Sequence, residues 1–136
     1  MWTILYTEVA SLADTWHVSR LEVNIRYEQD IPVVETRGEC DLITSRKLKD
    51  AIDNLISTGH YKIIFDFRDM SYIDSSGFRT LLDAKTRVAQ HGGEIVLISL
   101  TAPVERVFEL LGLGDLIIRT ASLEEAITTL QAIDCH

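Results

Sequence analysis

Asp74-Ser75-Ser76-Gly77 places a carboxylate and two hydroxyls between a segment that reads as a buried strand, Lys62 to Phe67, and a helical pattern beginning near Gly77. A serine hydroxyl at such a strand-to-helix junction can carry a phosphate. The first N–H groups of a helix have no intrahelical partners and the macrodipole is positive there, so an anion is stabilised. The same residues also suit a plain helix cap, since Asp and Ser side chains accept from those N–H groups. Ile73 is placed to anchor the turn inward. Gly77 leaves room for close approach of another backbone, and either serine can face solvent.

Other chemistries find less support. Asp41, Asp66, Asp69 and Asp74 could be gathered around magnesium, but most of them read as solvated loop or cap residues. The 4 histidines are scattered, with neither an i, i+4 pair nor zinc-type Cys/His spacing. There is no G-x-S-x-G elbow, so a serine hydrolase would need a distant histidine as base. No phosphate-cradling G-x-x-x-x-G-K-[ST] loop is present either. The expected class is therefore a binding protein, not an enzyme, with no cofactor and no metal.

The chain has 136 residues, enough for one domain with its own core, and 46% of them are hydrophobic. Its 13 basic and 21 acidic residues give a net charge of −8, with no Lys/Arg-rich run. That balance argues against direct nucleic-acid binding and favours a partner with a basic docking face, bound more weakly as salt rises. Cys40 and Cys135 form no CxxC pattern and read as reduced thiols. With no basic leader, no small-residue cleavage site and no apolar run of membrane-spanning length, a soluble cytoplasmic protein without membrane insertion is expected.

The elements that must position the serines follow from periodicity. Leu21 to Tyr27 alternates apolar and polar as an edge strand, Glu28-Gln29-Asp30 reads as a turn, and Ile31 to Arg37 as the second strand of a hairpin ended by Gly38. Leu48, Ala51, Ile52, Leu55 and Ile56 give an amphipathic helix over Thr44 to Ser57, stopped by Gly59. Ile63-Ile64-Phe65 reads as a central strand covered on both faces. Phe78, Leu81, Leu82, Ala84, Lys85 and Val88 mark the next helix, and Glu94 to Leu100 the next strand. Pro103 opens a third helix with Val104, Val107, Phe108 and Leu111 as its apolar stripe. Leu116 to Ile118 reads as a last strand, and Ser122 with Glu125 caps a last helix.

Such alternation after an opening hairpin implies an α/β domain with a mixed sheet, helices packed against it and helix-linked strands parallel. Domain organisation is expected as residues 1–20, an N-terminal extension, followed by one domain over 21–136. In the extension Trp2, Leu5, Val9, Leu12 and Trp16 would line one face of a helix, packed on its own domain or on a partner, a homodimer included. Met1 to Val9 also fits a strand, because Trp2, Ile4 and Tyr6 alternate.

Several segments, in order, carry a family resemblance over about Leu21 to Leu130: Gly38-Glu39-Cys40-Asp41, Met70 to Gly77, Gly92-Gly93 and Leu111-Gly112-Leu113. Together they resemble the STAS domain family, in particular its stand-alone anti-sigma factor antagonists. The resemblance implies a STAS-like fold and a partner switch. An anti-sigma serine kinase would phosphorylate the serine after the aspartate, here Ser75, and a serine phosphatase would act on the phosphorylated form. The unphosphorylated form would bind the kinase and free the sigma factor. Asp41 and Asp74 match acidic positions of the kinase contact, with Gly77 and Arg79 beside them, while Ser76 matches a second, structural hydroxyl. Two departures stand out: Cys40 replaces a usual aliphatic residue, and Phe78-Arg79 replaces a usual Leu-Gly. The alternative use of the fold is a non-switching module, such as a scaffold subunit of a sensory assembly or a cytoplasmic subunit of a transporter.

Overall fold

The computed structural model describes residues 20–112 and 114–133. Strands β1 (Leu21–Glu28) and β2 (Ile31–Cys40) form the opening hairpin, followed by helix α1 (Ser45–Ser57) and strand β3 (Lys62–Ile73). Helix α2 (Ser75–Ala89), strand β4 (Glu94–Ile98), helix α3 (Ala102–Leu111), strand β5 (Ile118–Thr120) and helix α4 (Leu123–Gln131) complete the described chain. The sheet order is β1-β2-β3-β4-β5. β1 is antiparallel to β2, and all later pairs are parallel. The expected mixed α/β fold is therefore present, with β1 at an edge and β3 in the centre. The N-terminal stripe lies outside the described residues.

Alternation along the inner strands builds two cores. Ile63, Phe65, Ile95 and Leu97 pack on one face with Leu48 and Leu55 of α1, Phe78 and Leu81 of α2, and Val104 and Phe108 of α3. Ile64, Val96 and Ile98 face the other way, onto Ala126, Ile127 and Leu130 of α4. A strand buried on both faces must read as a continuous apolar run, which is why Ile63-Ile64-Phe65 was recognisable. The hairpin turns at Gln29 and Asp30, both with positive φ, a two-residue geometry that follows strand twist.

Several boundaries differ from the expected ones. β2 does not end at Gly38 but runs on to Cys40, and β3 runs past Phe67 to Ile73. The two strands extend together, pairing Gly38 with Met70 and Cys40 with Ile73 across register shifts after Glu35 and Gly38. Those bulges break strict alternation, so Arg68 and Asp69 are both exposed and the extension reads as loop. Gly38 has φ 111°, and a Cβ there would lie 2.1 Å from the Arg20 carbonyl oxygen. Its glycine serves this close strand approach and does not stop the strand. β4 ends at Ile98, two residues short of Leu100. The last strand is shifted to Ile118–Thr120, with Ile118 against Val96. Among the described residues no helix is long and apolar enough to cross a membrane.

Candidate functional site

α2 starts at Ser75, earlier than Gly77, because Asp74 caps it. Extended backbone at Asp74 turns the chain, and its Oδ1 accepts from the N–H groups of Ser76 at 2.8 Å and Gly77 at 3.2 Å. The carboxylate thus holds two of the first-turn donors, the N–H groups of Ser76 and Gly77, that an added anion would otherwise meet unpaired. Ser75, first residue of the helix, is exposed; Ser76 is half-buried and gives its N–H to the cap.

The parallel pairing of β2 and β3 brings Asp41 to the same rim. The Asp74 N–H donates to the Cys40 carbonyl at 3.0 Å, so the two acids leave neighbouring strand ends. Asp41 Oδ1 accepts from the N–H groups of Ile43 and Thr44, both at 2.9 Å. Thr44 locks this turn, accepting from the Asp41 N–H at 2.9 Å and donating to the Glu39 carbonyl at 2.6 Å. The Arg20 carbonyl accepts from the Glu39 N–H at 2.8 Å, so the chain also enters the sheet at this rim.

Gly77 is buried, and what approaches it is side chains, not another backbone. A Cβ there would lie 2.5 Å from Ile73 Cγ1 and 2.9 Å from Cys40 Sγ, so glycine lets the helix sit on the two strand ends. Burial, then the carboxylates of Asp74 and Asp41, push the Cys40 thiol up to about 12. It is therefore protonated at neutral pH and fills the place of an aliphatic residue. Phe78 is buried edge-on against Phe108, ring centroids 4.4 Å apart, and ties the site helix to α3.

A groove of about 470 Å³ opens beside the serine, lined by Ser75, Phe78, Arg79, Leu82, Asp83, Thr86 and Leu111. Arg79 is exposed on its wall, one turn beyond Ser75. Leu111 was expected in the buried stripe of α3 but is 45% exposed, and Leu42 and Ile43 after Asp41 are 73% and 77% exposed. These aliphatics around the acids escaped the reading of the sequence. The one sign of Leu42 and Ile43 was an apolar pair left out of the α1 stripe. Asp66, by contrast, is buried within β3 and Asp69 faces Arg37 at 3.8 Å, so neither joins Asp41 and Asp74 at a metal-like cluster. Among the described residues no group of three or more His, Cys, Asp and Glu side chains could hold a metal ion.

The family model for the STAS domain matches residues 22–127. The chain belongs to the STAS domain family. This STAS domain is 32% identical over 80 residues to an anti-sigma-B factor antagonist from Listeria monocytogenes, spanning 59% of the chain and 70% of that relative. Its structure is similar to the unphosphorylated anti-sigma factor antagonist SpoIIAA, with TM-score 0.70 and 25% identity over 83% of this chain and 99% of that one. It is also similar to the phosphorylated form of SpoIIAA from Bacillus, with TM-score 0.61 and 25% identity, covering 79% and 98% of the two chains. The family suggested by the ordered motifs is thus the family found.

Proposed function

We propose that this STAS domain is an anti-sigma factor antagonist in a partner switch, binding an anti-sigma serine kinase while Ser75 is unmodified and leaving it once Ser75 carries phosphate. The observation that carries the reading is the exposed Ser75 hydroxyl at the start of α2, with Asp41 and Asp74 on the same rim. A kinase active site can reach that oxygen without unfolding any element. In the transfer, Oγ of Ser75 bonds to the γ-phosphorus as the bridging bond to the β-phosphate breaks; ADP leaves, and the hydroxyl proton passes to a base of the kinase. A serine phosphatase reverses the state by hydrolysis.

Asp41 and Asp74 serve as docking acids toward a basic face, and Leu42 and Ile43 add apolar contact. Arg79 borders the contact on the groove side, while Ser76 and Gly77 shape it from beneath. That SpoIIAA exists in unphosphorylated and phosphorylated forms supports the same logic here. The test is complex formation on size-exclusion chromatography with the cognate kinase and nucleotide. One joint peak is expected, weakening as salt rises because the chain carries a net charge of −8. A stable high-mass assembly of the chain alone, with no kinase complex, would favour the scaffold use of the fold.

A further inference from the structure

We infer that Arg79 is the built-in counter-ion of the phosphate on Ser75, so that the modified serine is received by the face of α2 and not by its N-terminus. The inference rests on Ser75 being the acceptor. At the cap, Asp74 Oδ1 already takes the N–H groups of Ser76 and Gly77, at 2.8 and 3.2 Å, and sets a negative charge there. A phosphate carries about −1.5 to −2 charges at neutral pH, so the cap repels it. The group must swing away, over the groove that Ser75 and Arg79 line together.

Residues four apart on a helix are neighbours, and the anion standing N-terminal to the cation is the favourable order. Arg79 is available for this role. Among the described residues it makes no ion pair, whereas the other cations of α2 are committed, Lys85 to Glu94 at 2.8 Å and Arg87 to Asp53. The remaining charged group of the groove, Asp83, lies four residues after Arg79 but faces Arg87 at 3.9 Å. Guanidinium can meet two phosphate oxygens at once, a geometry that an ammonium lacks. The consequence is a phosphorylated form whose added charge is held against the domain and partly neutralised.

The test uses the full chain with phosphoserine encoded at position 75, which needs no kinase. The second ionisation of the phosphate is followed by phosphorus NMR across pH. A nearby cation favours the dianion, so this ionisation should fall at a pH lower by about half a unit in the native sequence than in Arg79→Gln, with Arg79→Lys between them. The gap should close in high salt, as it must for an exposed pair. Coincident titrations of the native and Arg79→Gln proteins, both shown folded by circular dichroism, would overturn the role of Arg79. Such a result leaves the switch itself intact. Failure of the cognate kinase to modify Ser75 would strike the proposed function instead.

Discussion

Transfer of one phosphate to Ser75 is expected to weaken the complex with the kinase about a hundredfold, a loss of about 3 kcal/mol. The modification adds about −1.5 to −2 charges at a rim that already holds Asp41 and Asp74. Because Asp74 already takes the N–H groups of Ser76 and Gly77, the helix start has fewer hydrogen bonds to offer the new charge. Burying it against a partner then requires desolvation without full compensation, which is costly. The proposed pairing with Arg79 would offset part of this from the groove side. Calorimetric titration of the kinase with phosphorylated and unmodified chains measures the difference; a change below about threefold would contradict the electrostatic account.

The second large effect concerns the scaffold. Gly93→Ala should destabilise the domain by about 3 kcal/mol or more, because overpacking against backbone has no side chain that can give way. A Cβ at Gly93 would lie 1.8 Å from the Tyr61 carbonyl oxygen and 2.7 Å from its carbon. The same carbonyl accepts from the Glu94 N–H at 3.0 Å, and the Gly93 N–H donates to Val88 at 2.8 Å. Relief would therefore shift the start of both β3 and β4, whose register begins at Lys62 and Glu94. Gly112→Ala is the contrast: φ is 67° but nothing lies within 4 Å, so the strain alone should cost about 1 kcal/mol. Urea denaturation compares the two, and equal midpoints would refute the argument from close approach.

The legible parts of the fold were those where one periodicity rules. α1 shows helical spacing from Leu48 to Ile56, and β3 opens with an apolar run that only two covering layers explain. Legibility failed where tertiary geometry interrupts the period. The bulged pairing of β2 with β3 hides the stretch from Arg68 to Ile73, and Leu111 fits a helical stripe yet ends up beside the groove because α3 stops at Gly112. At the site, the residues Asp41, Asp74 and Ser75 could be named from order along the chain, and the parallel strand pairing gives them a common rim. What sequence could not apportion was the cap. Asp and Ser are both good acceptors for helix N–H groups, and only the geometry assigns that task to Asp74 and leaves Ser75 outward.

The central claim is that Ser75 is the acceptor through which another protein's active site controls binding. It is tested most directly by incubating the chain with the cognate kinase and ATP, then mapping the phosphate by peptide mass spectrometry. The account predicts one phosphate on Ser75, uptake lost in Ser75→Ala, and uptake retained in Ser76→Ala. Uptake by Ser75→Ala at the native rate would contradict it.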